Sequence, residues 1–149
     1  MAITTITGPV TGVICGGIIF NRLGGYTSPK AYPVAVIVMA LGAGLGFPIP
    51  FVEDTLPAIV ALLWGQFFCG GFCMPVLTGI LLNSVPIPCR TLGNSVANLF
   101  YNLFGYLPAP YAYGLAYQLT GQGDSRAGLI TLECAGVLGA LLMLFLLIK

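Results

Sequence analysis

Five long apolar segments separated by short loops dominate this chain and limit what it can fold into. Only 6% of its residues are charged, 58% are hydrophobic, and the mean hydropathy is +1.00. A soluble domain carries about 25% charged residues, so this chain cannot cover a globular surface with polar groups. In hydrocarbon, each backbone polar group must be hydrogen-bonded internally, as in an α-helix. The runs are continuous and about twice the length of alternating barrel strands. We therefore predict an all-α integral membrane bundle.

The five segments predict five transmembrane helices in a single domain that covers residues 1–149. A helix needs about 20 residues to cross about 30 Å of hydrocarbon, and each segment has about that many or more. The third and fourth are longer, so we expect tilt or kinks at their prolines, Pro75 and Pro108-Ala109-Pro110. The predicted spans are residues 2–20, 31–51, 56–83, 91–119 and 127–148.

The basic residues of the loops predict the orientation of the bundle. If the connections alternate between sides, one side holds four of the five basic residues: Arg22, Lys30, Arg90 and Lys149. Arg126 lies on the other side. The positive-inside rule places the group of four in the cytosol or its equivalent. We therefore expect a multi-pass membrane protein with its start outside and its end at Lys149 inside, in a membrane that the sequence does not identify.

Small residues recur at four-residue spacing in most of the segments, as Gly8, Gly12 and Gly16 do in the first. Lipid tails are as apolar as the side chains, so helices in a membrane associate through close backbone approach and polar contacts. These faces predict tight packing against other helices. Five helices rarely fill so many faces, and we expect further transmembrane helices or subunits to complete the bundle within the lipid bilayer.

A stripe of carboxamides lies on the fourth segment, where Asn94, Asn98 and Asn102 recur every fourth residue and so share one helix face. Exposing such groups to lipid is costly, so this face must meet other helices or a watery cavity. Two interpretations stay open. The asparagines either join helices, at about 0.6–2 kcal/mol for each contact, or line a cavity that touches solute.

Glu133 is the carboxylate predicted to lie well inside a span. Ionisable residues at such depth are candidates for proton relays; the alternative is a neutral or snorkelling glutamate. Gln66 is a second polar candidate for the cavity, since it could hydrogen-bond to Glu133 or to the asparagine stripe. Broken helices often flank transport sites, and we predict a helix break just beyond the stripe, at Gly105, Pro108 and Pro110.

The composition argues against several other classes of protein. The chain has no His, so a metal would depend on five cysteines and four carboxylates. Cys69 and Cys73 are one helical turn apart, and we interpret them as packing residues. An odd number of scattered cysteines does not suggest a disulfide framework. We predict no metal, no cofactor and no enzymatic activity, because no nucleophile–base pair can be named. Nucleic-acid binding lacks a basic cluster.

The first loop resembles the loop signature of the major facilitator superfamily, Gly-x-x-x-Asp-Arg/Lys-x-Gly-Arg/Gly-Arg/Lys. It stands here as Gly17-x-x-x-Asn21-Arg22-x-Gly24-Gly25-Tyr26. In that family the motif joins the second and third helices and recurs between the eighth and ninth. Because four predicted spans follow it here, the chain looks like helices eight to twelve, a partial major-facilitator half. The family's Asp is Asn21 here, which removes the charge that helps lock the outward-open state.

The fourth segment resembles helix eleven of spinster-like and organic-anion-transporter-like members. Those share an Arg near the cytosolic end and a Gly-x-x-Pro-x-Pro-x-x-x-Gly run, which are matched here by Arg90, Gly105, Pro108, Pro110 and Gly114. The Gly71-x-x-x-Pro75 pattern is also common in the corresponding helix of the family. The resemblance covers nearly the whole chain, but it amounts to about five-twelfths of a transporter. Superfamily members bind substrate between two six-helix halves.

The resemblance implies a carboxyl-terminal fragment or split part of a major-facilitator-type secondary transporter of small organic solutes or lipid-like anions. Substrate would then lie near the asparagine stripe and Gln66, and Glu133 would couple protons. The alternative is a transporter-derived structural subunit of a large membrane complex, without transport activity. An ion channel is disfavoured because the sequence has neither a ring of charges nor a filter-like segment.

Overall fold

A computed structural model describes residues 2–25, 28, 30–52, 55–119 and 125–148. These residues are almost entirely helical and contain no strand, so the all-α prediction is confirmed. The predicted loop positions Tyr26, Glu53 and Asp54, and the terminal Lys149, lie outside the described residues. The α-helices are α1 Ala2–Arg22, α2 Ala31–Gly46, α3 Leu56–Ser84, α4 Arg90–Phe100, α5 Pro108–Leu119 and α6 Ser125–Ile148.

Short irregular helices extend or join these six. Ile49–Phe51 and Ile87–Cys89 are 3-10 turns, and Tyr101–Tyr106 is a π-helix. The π-helix links α4 to α5, so the six α-helices form five helical segments along the chain. The segments correspond to the five predicted ones.

Three helical segments of the described chain are long and apolar enough to cross a membrane: Ile3–Arg22, Ala31–Phe51 and Leu56–Ser84. The α3 helix has 29 residues and includes Pro75. At 1.5 Å per residue it is about 43 Å long, which exceeds the roughly 30 Å of a hydrocarbon core. A helix of this length has to tilt or to extend beyond the core.

The helices α1 and α3 pack side by side through glycines. A methyl group added at Gly12 would overlap the carbonyl oxygen of Phe68 and lie 2.9 Å from the amide nitrogen of Phe72. One added at Gly16 would overlap the carbonyl oxygen of Phe72. The contacts progress in the same direction along both helices, from Gly8 against Trp64 to Gly16 against Phe72. The helices α1 and α3 therefore run parallel. The small-residue face predicted for the first segment thus holds two backbones in direct contact.

The buried core lies where α1, α2 and α3 meet. Phe20, Ala35 and Val76 are fully buried, and the rings of Phe20 and Phe72 meet edge to face with centroids 5.3 Å apart. Cys73 is also buried, and its thiol donates a hydrogen bond to the carbonyl oxygen of Ala35 at 3.7 Å. The five cysteines of the chain are free. The burial of Cys73 agrees with its interpretation as a packing residue.

The α2 helix runs antiparallel to α3 and also contacts α6, which in turn packs against α5. Gly128 of α6 faces the ring of Tyr113 of α5. By contrast, residues 90–119, which we call the α4–α5 arm, contain no buried residue. The arm touches α3 near one end and α6 near the other, and it forms an open wall beside the compact core.

Replacing Gly12 with Ala should lower the free energy of unfolding in detergent by about 1–3 kcal/mol, the usual cost of overpacking. The added methyl has backbone in its way, and the helices have to separate. Gly17→Ala is the matched control on the same helix, because a methyl group there would lie more than 4 Å from every other helix of the described chain. Equal thermal unfolding curves for the two variants would contradict the close contact between α1 and α3.

Candidate functional site

A groove of about 700 Å³ lies between the second half of α3 and the α4–α5 arm. Its α3 wall includes Met74 and Thr78. Its arm wall carries three carboxamides and four aromatic rings: Asn94, Asn98, Asn102, Phe100, Tyr101, Phe104 and Tyr106. The predicted stripe therefore lines a cavity. We call this opening the asparagine groove.

The asparagines of the groove are poorly satisfied by the rest of the chain. The amide nitrogen of Asn102 donates to the backbone oxygen of Asn98 at 2.7 Å, one turn earlier. The side chains of Asn94 and Asn98 make no hydrogen bond to another described residue, and all three asparagines are exposed. Within the described chain, the stripe does not join helices. Hydrogen-bond partners for the stripe therefore have to come from outside the described chain.

The helix changes its hydrogen-bonding pattern along the groove. Tyr101–Tyr106 is π-helical, and the amide of Leu107 donates to the oxygen of Asn102 at 2.9 Å. We predicted the interruption at Gly105, Pro108 and Pro110. Gly105 lies within the π-helix, but both prolines lie in the first turn of α5, where a missing N–H leaves no intrahelical bond unmade. The irregularity thus lies mostly before the prolines. Single π-turns are frequent at functional sites.

Gln66 lies away from the asparagine groove and pairs with Glu133. Its amide nitrogen, on α3, donates to Oε1 of Glu133, on α6, at 2.6 Å, and both residues are half-buried. Of the two partners that the sequence left open for Gln66, the structure selects Glu133. Gln66 and the stripe therefore line different cavities.

The end of α2 makes room for this pair. A methyl group at Gly46 would overlap Oε2 of Glu133 and lie 2.6 Å from the amide nitrogen of Gln66. Three helices therefore meet at the pair, and a larger residue at that point of α2 would displace the ends of the Gln66 and Glu133 side chains. Glu133 also borders two small cavities of about 250 and 160 Å³. The sequence places Gly46 on a small-residue face of the second segment, but it gave no signal that this glycine contacts Glu133.

The glycine loop after α1 is built on positive backbone angles. The amide of Gly25 donates to the oxygen of Phe20 at 3.0 Å, and Gly24 and Gly25 have φ angles of 98° and 88°. Residues with a Cβ rarely adopt such angles, so the two glycines allow the turn that ends the helix. The neighbouring side chains of Asn21 and Arg22 are exposed on the last turn of α1, and Gly17 lies one turn earlier on the same helix.

Two further features bear on chemistry. Arg90 begins α4, and its Nε atom is shielded from solvent with no hydrogen-bond partner among the described residues. No group of three or more His, Cys, Asp or Glu residues that could hold a metal ion occurs in the part of the chain that the structure describes.

Comparisons with protein-family models, curated proteins and solved structures found no match for this chain. Its function has to be argued from its own residues.

The pair of Gln66 and Glu133 can be tested with a double-mutant cycle. Gln66→Leu leaves a half-buried carboxylate without its donor, and we expect a loss of about 1–2 kcal/mol in unfolding free energy in detergent. In the double variant with Glu133→Leu the two losses should not add, leaving a coupling of about 1 kcal/mol. Gln118→Leu, at an exposed glutamine of α5, is the control. Additive losses would contradict the pairing.

Proposed function

We propose that this chain is the carboxyl-terminal part of a major-facilitator-type secondary transporter of small organic solutes or lipid-like anions. In this proposal, the asparagine groove is the chain's share of the solute pathway. The observation that carries the proposal is the groove itself, about 700 Å³ with a row of exposed carboxamides on one wall. Sites for small organic molecules have volumes of about 300–1,000 Å³ and combine apolar walls with a few polar groups.

The open form of the α4–α5 arm supports the same proposal. The arm has no buried residue, and its exposed carboxamides would be costly to leave against lipid. Transporters of the superfamily enclose substrate between two helical halves. Helices from another chain or from another part of a longer protein would complete the wall opposite Asn98.

We assign proton coupling to Glu133. One carboxylate oxygen accepts the Gln66 hydrogen bond while the other lies against Gly46. A change of charge on this carboxylate would therefore alter the contacts between three helices. The two small cavities beside Glu133 give it contact with space outside the core. A carboxylate in such a place is suited to take up and release a proton as the helices move.

The proposed topology has five spans, with the ends of α1 and α3 on the cytosolic side. The parallel course of α1 and α3 puts Arg22 and the start of α4 at the same end of the bundle, as alternating spans require. Lys30, which precedes α2, is close to that end as well. The side opposite would hold the start of α3 and the start of α6.

This orientation predicts the labelling of Cys89, an exposed thiol next to Arg90. In sealed cells, a membrane-impermeant maleimide should leave Cys89 unlabelled until the membrane is permeabilised. Mass spectrometry identifies the labelled thiol, because Cys134 is exposed as well, and Cys89→Ser should remove the part of the labelling that Cys89 contributes. Labelling of Cys89 in intact cells would reverse the proposed orientation.

Transport itself is tested with the native assembly reconstituted in proteoliposomes and a panel of radiolabelled organic solutes. Asn98→Leu should reduce uptake about tenfold, while Asn83→Leu, at an exposed asparagine outside the groove, should leave it unchanged. Glu133→Gln should keep solute exchange but lose its stimulation by a proton gradient. Uptake that is equal in the Asn98 and Asn83 variants would contradict the role of the groove.

A structural subunit of a large membrane complex is the alternative function. No other helix among the described residues comes within 4 Å of a methyl group added at Gly136 or Gly139 of α6, so their small-residue face is unfilled there. Native mass spectrometry in mild detergent distinguishes the two functions. One partner with about seven spans at a one-to-one ratio would indicate a split transporter. A fixed stoichiometry within a complex of many subunits would indicate a structural role.

A further inference from the structure

We propose that the asparagine groove binds an uncharged amphipathic molecule with a flat or aromatic body and at least one amide or hydroxyl group. This inference rests on the proposed function, because it names the solute class of the same site. It also narrows that class, because it excludes lipid-like anions from the groove. The argument depends on three properties of the wall, namely its carboxamides, its rings and its lack of charge.

The carboxamides supply both hydrogen-bond donors and hydrogen-bond acceptors. Each asparagine side chain has one acceptor oxygen and two N–H donors. Asn102 uses one donor on the oxygen of Asn98, and the side-chain groups of Asn94 and Asn98 are free of described partners. Thr78 on the facing wall adds a hydroxyl. A ligand that both donates and accepts, such as an amide or an alcohol, satisfies this set better than a group that only accepts.

The rings supply the apolar contact. Phe100 and Phe104 stack on each other with centroids 5.4 Å apart and planes 21° apart, and both border the groove together with Tyr101 and Tyr106. Offset stacking on such rings contributes about 0.5–1.5 kcal/mol beyond buried area. A flexible lipid chain gains less from flat rings than a flat body does.

The described lining of the groove contains no Lys, Arg, His, Asp or Glu. Burying an ion without a counter-charge is far more costly than burying a neutral polar group. Arg90 lies on the same face one turn before Asn94, but it does not border the groove. Glu133 borders two other cavities. A neutral ligand is therefore favoured over both anions and cations.

An apolar helix or a lipid tail is a poorer occupant of the groove. Either would cover the row of carboxamides without offering donors or acceptors, and each unsatisfied buried amide costs about 1–3 kcal/mol. The volume of about 700 Å³ is also that of a small-molecule site.

The test uses the native assembly in lipid nanodiscs and three benzophenone photoprobes of equal size that end in a primary carboxamide, a carboxylate or a trimethylammonium group. Labelled peptides are read by mass spectrometry. We expect the carboxamide probe to label residues 74–81 or 94–109 at least about fivefold more than the carboxylate probe does. Asn98→Leu should reduce that labelling about fivefold, a loss expected for one or two hydrogen bonds, and Asn83→Leu should not.

A second variant tests the charge argument without depending on a loss of binding. Asn98→Asp places an anion in the groove, and the trimethylammonium probe should then label it several-fold more than in the unmodified protein. Preferential labelling by the carboxylate probe, removed by Arg90→Gln, would overturn the inference. Equal labelling by all three probes, as expected for lipid-like insertion, would also overturn the inference. Neither result requires transport, so the solute class and the transport proposal fail separately.

Discussion

The close approach of α1 to α3 is the contact on which the rest of the structure depends. Gly12 and Gly16 place the backbone of α1 against the backbone of α3, and this brings the rings of Phe20 and Phe72 together. In a membrane, apolar surface alone does not hold helices together, so dispersion contacts at short range have to do so. The core formed this way gives α3 a rigid face, and α3 in turn carries one wall of the groove and one partner of Glu133.

The polar groups around Glu133 and those along the asparagine groove differ in how well they are satisfied. Gln66 and Glu133 satisfy each other beneath Gly46, where three helices meet. The side chains of Asn94 and Asn98 face open space without a described partner. A satisfied pair stabilises the packing of helices, whereas unsatisfied carboxamides are available to a ligand. The same class of side chain thus serves packing in one place and is free to bind in the other.

The α4–α5 arm combines regular and irregular helix along the groove. Its π-turn, Tyr101–Tyr106, changes the register of the helix between the stripe and α5. The prolines that follow are accommodated as the start of a new α-helix and not as a break within an old one. The carboxamides, the rings and the change of register therefore occur within one segment of the chain, which α3 faces.

The sequence by itself determined the all-helical class, the five segments and the shared face of the asparagines, because these depend on apolar length and helical period alone. It also placed Glu133 within the fifth helical segment. Only the tertiary structure decided that Gln66 pairs with Glu133, since 67 residues separate them and the choice depends on which helices meet. The closeness of Gly46 to this pair was likewise hidden, because a steric contact exists only once a neighbouring side chain is in place.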